Sequence, residues 1–257
     1  MMPLAQQGFT LAWRSLVPLK NSPGQLVGYV LQPVLMIAVF VYLFGGAAAG
    51  GDRHLAVLYA LPGVLAQSAL MATIATGVNL NTDLHNGVFD RFRSLPIVRA
   101  APLLGRVLAD LCLLGVSVGI ALLAGFAVGF RIGTGPVQLA VAVGLILAIA
   151  VSLSWGSALL GLVSKTPASM QVTATAVIMP LTLGSSAFIP VGGMPGWLQW
   201  WMKVNPTSHL AGAVRGLLVG RPYDAHLASD ILFTLGWAAV MLAVFVPLAG
   251  RAYRRRI

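Results

Sequence analysis

The residues of this chain that could do chemistry are few, and the densest group of them lies in the polar run NTDLHNGVFDRFRSLPIVRAAPLLGR, residues 81–106. This run holds two of the six acidic residues and four of the thirteen arginines, and it separates two long apolar runs. None of the three lysines follows a GxxxxG sequence, so the chain has no Walker A motif with which to hold the phosphates of ATP. The chain is therefore predicted not to hydrolyse ATP on its own.

Metal and thiol chemistry have little support in the sequence. The one cysteine, Cys112, lies inside an apolar run and is expected to pack there as a small residue. Four histidines lie in separate stretches and are expected to be surface residues rather than metal ligands: His54, His85, His209 and His226. The sequence predicts no metal and no cofactor bound by this chain.

The composition is that of a membrane protein. The chain has 257 residues, of which 58% are hydrophobic and only 9% are charged, and its mean hydropathy is +0.88. Soluble domains carry about 25% charged residues, so most of this chain must be in contact with lipid. The net charge of +10 does not indicate a nucleic-acid partner, because the basic residues are scattered over loops, as they are in membrane proteins.

The apolar runs predict an all-α membrane protein of one domain, with six transmembrane helices. Each run approaches or exceeds the roughly 20 residues that a span needs: 24–44, 55–80, 103–130, 136–163, 168–189 and 231–249. Residues 5–20 mix apolar side chains with Arg14 and Lys20 around Trp13, which predicts a short helix in the headgroup plane. Residues 190–220 hold two helices too short to cross, and these are predicted to enter the membrane and return on the same side.

The basic residues predict the orientation of the spans. With the N-terminus inside, eleven cations face the cytoplasm: Arg14, Lys20, Arg91, Arg93, Arg99, Arg106, Lys165, Arg251, Arg254, Arg255 and Arg256. Five face outside: Arg53, Arg131, Lys203, Arg215 and Arg221. The positive-inside rule then places both termini and residues 81–106 in the cytoplasm, and residues 190–220 outside.

The third apolar run carries a charge pair and several glycines. Arg106 and Asp110 are four residues apart on one helix face and are predicted to pair at the root of this span. No other carboxylate lies in the spans and no inverted repeat is visible, which weakens the alternative of an ion-coupled secondary transporter acting without an ATPase. Two glycine pairs, each four residues apart, are expected to let a neighbouring helix approach closely: Gly115 with Gly119, and Gly125 with Gly129.

Within residues 81–106, the sequence GVFDRFRSLP predicts an amphipathic helix. Val88, Phe89, Phe92 and Leu95 form one apolar stripe at helical spacing, and the charged residues lie off it. Such a helix could rest in the membrane interface or dock into a groove of a partner protein. Alternatively, the segment is an ordinary amphipathic surface loop.

The same ten residues, 87–96, closely resemble the loop between spans two and three of type-2 ABC transporter permeases, in particular the daunorubicin-resistance drug-exporter group. Leu104-Gly105-Arg106 through Asp110 is similar to that group as well. Two further segments resemble the part that precedes the last span in this family: MPGW at 194–197 and NPTSHLAGAVRG at 205–216.

The resemblance implies a permease that dimerises, with itself or with a second permease, in the plasma membrane of a bacterial cell. Two separately encoded ATPase subunits would hold ATP and Mg. Residues 83–99 would form a coupling helix seated in a cleft of the ATPase, with these contact residues: Asp83, Gly87, Phe89, Asp90, Arg91, Phe92, Arg93 and Pro96. Many relatives carry Glu where this chain has Asp83 or Asp90, and the shorter side chain keeps the charge but reduces its reach.

The resemblance also implies a path for a small amphipathic drug, antibiotic or lipid along the dimer interface, next to spans one, two and five. Its polar lining is predicted to include Gln32, Gln67, Thr73, Asn79, Gln171, Thr173 and Thr175. An extracellular gate would use Pro195, Trp197, Trp200, Asn205, Pro206 and Arg215. A membrane-embedded enzyme, an importer, and a permease for heme or polysaccharide remain alternatives from the sequence.

Overall fold

The computed structural model describes residues 23–43, 53–88, 101–188 and 195–256, and within these ranges the chain is helical with no strand. The prediction of an all-α fold is confirmed for this part of the chain. The helices are α1 (Pro23–Ala38, continued by one wider π-helical turn over Val39–Leu43), α2 (Arg53–His85), α3 (Ala101–Val128), α4 (Pro136–Val163), α5 (Pro167–Leu183), α6 (Gly196–Val204), α7 (Pro206–Val219) and α8 (Leu227–Arg256).

Four of these helices are long and apolar enough to cross a membrane. They are α2, α3, α4 and α8, with apolar stretches of 24 to 30 residues. The helix α5 has 17 residues, or about 25 Å at 1.5 Å per residue, and the described apolar part of α1 covers only Leu31–Tyr42. The fold is therefore that of a multi-pass membrane protein, and the count of six spans stays a prediction.

The helix α2 is the centre of the packing. Its most apolar window is 72% buried, against 11% for α8, and it packs against α3, α4, α5 and α7. The crossing of α2 and α4 is very close at Gly77 and Gly161, where a Cβ added to Gly161 would lie 2.5 Å from the Gly77 carbonyl oxygen. A larger residue at either position would push these two helices apart.

Two expectations for α3 are not met within the described part of the chain. No described atom lies within 4 Å of a Cβ built on Gly115 or Gly119, so no described helix approaches that pair closely. Cys112 is exposed on α3 rather than packed. Gly125 does receive a neighbour, because the Leu61 side chain of α2 packs against it.

Candidate functional site

A cavity of about 520 Å³ lies between α1, α2, α3 and α5 and opens to the surface of the chain. One half of its lining is polar but uncharged: Gln32, Ser68, Asn79, Ser117 and Gln171. The other half is apolar and comes from α2: Met71, Ala72, Ile74, Ala75 and Val78. Because Ser68 and Asn79 are eleven residues apart on one helix, the cavity extends over about 16 Å of the length of α2.

The structure brings together three of the seven residues predicted to line a path: Gln32, Asn79 and Gln171. Thr73 is buried and its hydroxyl donates to the Leu70 carbonyl at 2.7 Å, so it packs within α2. Thr173 bonds back to its own helix in the same way, through the Ser169 carbonyl. Thr175 and Gln67 do not line the cavity either, although Oε1 of Gln67 is buried without a hydrogen-bond partner among the described residues.

Sequence reasoning missed the two serines of the lining. Ser117 stands in GVSVG, residues 115–119, which matches the GxSxG letters of serine hydrolases. That motif requires a sharp turn between a strand and a helix, whereas Ser117 lies in the middle of α3 and no histidine lines the cavity. Nor do three metal-ligating side chains meet anywhere in the described ranges. The described lining offers hydrogen-bonding groups and aliphatic surface.

The end of α2 that leads towards residues 89–100 is tied to α4. Asn81 is fully buried, and its Nδ2 donates to the carbonyls of Gly161 and Ser164 at 2.7 and 2.9 Å. These two carbonyls belong to the last turn and the C-cap of α4, and the last carbonyls of a helix have no partner within it. The asparagine amide therefore binds the end of α2 that leads to residues 89–100 to a second long helix.

Gly87 ends α2 in a left-handed conformation. Its φ is +66°, which glycine adopts without the steric cost that other residues meet. Its amide donates to the Leu84 carbonyl at 3.3 Å, and the Asn86 amide donates to the Thr82 carbonyl at 3.0 Å, so the turn closes the helix. The left-handed backbone conformation alone therefore favours a glycine at position 87 of the predicted coupling motif.

Most of the predicted coupling residues fall outside the described residues: Phe89, Asp90, Arg91, Phe92, Arg93 and Pro96. The predicted helix over residues 5–20 also lies outside them. Asp83 lies in the last turn of α2 and is half-buried. On the other side of the gap, Nε of Arg106 lies 3.4 Å from Oδ2 of Asp110, and Asp110 is 7% exposed.

The predicted gate residues divide into an exposed and a buried group. Trp197 and Trp200 on α6 are 72% and 67% exposed, and Pro195 precedes them at the surface. Asn205, Pro206 and Arg215 are buried, because α7 packs between α2, α4 and α8. The helix α7 has 14 residues, about 21 Å, which is short of a bilayer.

Asn205 joins α5 to the α6–α7 junction. Its Nδ2 donates to the carbonyls of Leu181 and Gly184 at 2.8 and 2.9 Å, and its Oδ1 accepts from the Thr207 amide at 2.9 Å. One buried side chain thus caps the start of α7 and satisfies two carbonyls at the end of α5. This is the same device that Asn81 forms at the end of α4.

Arg215 is not the loop cation that the charge count assumed. It is 8% exposed, its Nη2 donates to the Ala187 carbonyl at 3.0 Å, and its guanidinium lies 4.5 Å above the ring of Tyr59. Tyr223 meets Tyr59 edge to face at 5.6 Å. Burial lowers the pKa of Arg215, but from an ordinary value so high that the charge remains at neutral pH.

His209 is half-buried rather than a surface residue. Its Nδ1 lies 2.8 Å from Oδ1 of Asp230 and its Nε2 lies 2.8 Å from the Lys203 carbonyl oxygen, so both ring nitrogens face acceptors. Only the doubly protonated imidazolium satisfies both of them. The hydrogen bond to Asp230 accordingly raises the pKa of His209, against the opposing effect of burial. A side chain on Gly212 would collide with the Asp230 carboxylate, so this glycine makes room for the pair.

The chain matches the family model of the ABC-2 type transporter over residues 6–219. It is 38% identical to a daunorubicin resistance ABC transporter permease protein of Streptomyces coeruleorubidus, with 96% of this chain and 86% of that protein covered. It is 30% identical to a doxorubicin resistance ABC transporter permease protein of Mycobacterium tuberculosis, with 76% and 70% covered. A probable doxorubicin resistance ABC transporter permease protein of the same species is 24% identical, with 90% and 82% covered. The chain therefore belongs to the ABC-2 type transporter family and is the membrane permease subunit of an ABC exporter.

Proposed function

We propose that this permease exports a small amphipathic compound, a drug, antibiotic or lipid, through the cavity between α1, α2, α3 and α5. A partner ATPase supplies the energy, and two permease chains, identical or related, form the complete path. The observation that carries the proposal is the composition of the cavity lining, which is half polar and half aliphatic and holds no charged side chain. Relatives named for daunorubicin and doxorubicin resistance point to the same class of cargo.

The cavity has the size and surface that such a cargo needs. Its volume of about 520 Å³ lies within the roughly 300–1,000 Å³ of small-molecule sites. The aliphatic side of α2 can cover an apolar ring system, while the amides of Gln32, Asn79 and Gln171 offer donors and acceptors to its polar edge. A proton-coupled carrier would need a titratable group in such a site, and the lining has none.

Energy input is assigned to residues 83–99 as a coupling helix held by the ATPase. Asn81 supports this assignment, because its two bonds to the end of α4 would pass a displacement of the segment into two long helices at once. The permease itself adds no hydrolytic chemistry, and ATP and Mg belong to the partner.

The proposed topology has six spans with both termini in the cytoplasm of a bacterial cell. The four long helices are joined by α1 with its π-helical turn, 21 residues in all, and by α5 extended towards residue 188. The exposed Trp197 and Trp200 would then lie at the outer headgroup layer, as interfacial tryptophans do. Reporter fusions after residues 50, 133 and 224 should all score outside, and a fusion after residue 165 inside.

The transport test uses proteoliposomes that contain this chain, its ATPase partner and daunorubicin as a fluorescent probe. Ala75→Trp fills the cavity and should abolish ATP-dependent transport while the complex still assembles. Ala239→Trp adds the same volume on the exposed face of α8 and should leave transport unchanged. Equal transport by both variants, or transport driven by an ion gradient without ATP, would refute the proposed path.

A second experiment tests the coupling helix apart from the cavity. Asp90→Lys combined with Arg91→Glu should abolish co-purification with the ATPase. Arg221→Glu combined with Asp224→Lys makes the same exchange of charge in the exposed loop before α8 and should leave assembly intact. If the first pair assembles and transports normally, the segment is not the coupling element.

A further inference from the structure

A second cavity, of about 560 Å³, lies between the last turn of α4 and the last turns of α8. None of its lining residues lines the cavity proposed as the transport path. Its walls are aliphatic except for two arginines. The aliphatic residues are Leu159, Leu162, Val163, Leu248 and Ala252, and the arginines are Arg251 and Arg255. The two arginines are four residues apart and therefore lie on one face of α8, one above the other.

Within the described residues, no acidic side chain balances the charge of this cavity. Arg251 and Arg255 are exposed and form no ion pair with any described residue, and no acidic side chain lines the cavity. The ends of α4 and α8 contribute about half a negative charge each, which offsets about one of the two positive charges. Lys165, just past the end of α4, and Arg254 add to the positive side. The cavity is therefore electropositive and open to an anion.

The aliphatic part of the lining indicates what kind of anion fits. Leu162 is fully buried at the base of the cavity, whereas Val163 and Leu248 are 55% and 39% exposed at its sides. Tyr253, four residues past the predicted last span, packs in the same small cluster of apolar residues, and an aromatic residue at the end of a span marks the headgroup depth of a membrane. A free inorganic anion would gain nothing from five aliphatic side chains.

We propose that this cavity binds one anionic phospholipid, with its phosphate between Arg251 and Arg255 and the start of an acyl chain against the leucines of α4 and α8. Basic pockets between membrane helices are suited to such headgroups. The bound lipid would join α4 to α8 at the end where the coupling segment enters. The site does not depend on the cargo, so it can be tested without the ATPase or ATP.

The test measures lipid binding to the purified full chain in detergent by native mass spectrometry, with phosphatidylglycerol as the probe and phosphatidylcholine as the neutral comparison. Arg251→Gln and Arg255→Gln should each weaken phosphatidylglycerol binding about five-fold, and both together about thirty-fold. Arg254→Gln removes the same charge from the same turn of α8 outside the cavity lining, and should change binding less than two-fold. Ala252→Leu fills the cavity without changing the charge and should also weaken binding.

Other outcomes overturn the proposal in different ways. An equal loss for Arg254→Gln means that the basic end of α8 attracts lipid as a diffuse surface. Competition by millimolar inorganic phosphate as effective as by phosphatidylglycerol means that the site binds a free anion. Equal retention of phosphatidylcholine means that the arginines select nothing. The three arginine variants alter exposed side chains, so they remain informative even if Ala252→Leu does not fold.

Discussion

Asn205 is the residue whose replacement tests the α6–α7 junction most sharply. Its amide makes three hydrogen bonds with two functions, a cap on α7 and a bridge to the end of α5. Asn205→Ser retains an oxygen that can cap the helix but loses both bridging N–H groups. Asn205→Asp retains the cap too, but turns a second oxygen towards the carbonyls of Leu181 and Gly184.

The two hydrogen bonds from Asn205 to the end of α5 determine how much stability Asn205→Ser should lose. Each neutral hydrogen bond contributes about 1 kcal/mol net, and a buried carbonyl left without a donor costs about 1–3 kcal/mol. Since Asn205 is 2% exposed, water can replace its donors only in part, and about 3 kcal/mol is expected for Asn205→Ser. For a chain of this length, 1 kcal/mol corresponds to about 2–4 °C, so the midpoint of thermal unfolding should fall by about 6–12 °C.

The introduced carboxyl should make the stability of Asn205→Asp depend on pH between 5 and 7. Burial against two carbonyl oxygens disfavours its ionised form, so its pKa in the folded state lies above the unfolded value of about 3.9. Its protonated form can donate to one carbonyl, so the stability of Asn205→Asp should rise as the pH falls from 7 towards 5. Asn205→Ser has no such group and should show no extra slope.

The assay is thermal unfolding of the purified permease in detergent, followed by tryptophan fluorescence between pH 5 and 8. Asn86→Ser is the matched control, because Asn86 is exposed at the end of α2 and should shift the midpoint by less than about 2 °C. If Asn205→Ser unfolds with the control, or if Asn205→Asp loses stability as the pH falls, the bridging role is refuted.

Three further predictions concern other junctions. Gly161→Ala places a methyl group against the Gly77 carbonyl oxygen and should lower the free energy of unfolding by about 1–3 kcal/mol. Gly144→Ala on the same helix, where no described atom lies within 4 Å, should be neutral or slightly stabilising. Thermal denaturation of the two variants side by side measures the difference. The pKa of His209 is raised on folding, so its contribution to stability is complete below about pH 6.5 and is lost as the pH rises through the folded value. Wild-type unfolding midpoints should fall from pH 6 to 9, and His209→Gln should remove that slope. Thr166→Ala removes the side-chain oxygen that accepts from the Ser169 amide, one of the two bonds of an exposed capping box at the start of α5, and should lower stability by about 1 kcal/mol in the same thermal assay.

Composition was enough to predict the fold class, because a chain with so few charges can satisfy its backbone in lipid only by forming helices or a closed barrel. Apolar runs indicate which residues lie at the depth of the lipid, but they do not indicate where a helix ends. The second run was predicted to end at residue 80, yet α2 continues to His85. Its last turns are polar, and they are held by bonds that hydropathy does not register, such as that from Asn81 to the end of α4.

Gln32, Asn79 and Gln171 were predicted to line a path from the resemblance to a known family, whereas residue patterns alone were sufficient only where a residue's role depends on its own helix. The pairing of Arg106 with Asp110 follows from a spacing of four residues on one helix. In contrast, the close crossing of Gly77 and Gly161 joins residues 84 positions apart, and no pattern within one helix indicates its partner. The same limit applies to Arg215, which looks like a loop cation until α2 supplies Tyr59 beneath it. Ser68 and Ser117 joined the cavity for the same reason, since they face each other only after α2 and α3 have packed.

The two asparagine bridges suggest which parts of the permease move together. Asn81 binds α2 to α4, the helices α4 and α8 pack extensively, and α7 is enclosed between them. The end of α2 that leads to residues 89–100 therefore belongs to a closely packed set of four helices, α2, α4, α7 and α8. The helices α1 and α5 complete the cavity from the other side, and α5 packs against α2 but has few contacts with α4. In the proposed function, ATP-driven displacement of residues 83–99 would thus change the shape of the cavity by shifting α2, α4, α7 and α8 against α1 and α5. Gln171 lies near the start of α5, and Asn205 contacts the other end of this helix. The Asn205 side chain bonds both the end of α5 and the start of α7, so it would transmit the shift to that end of α5.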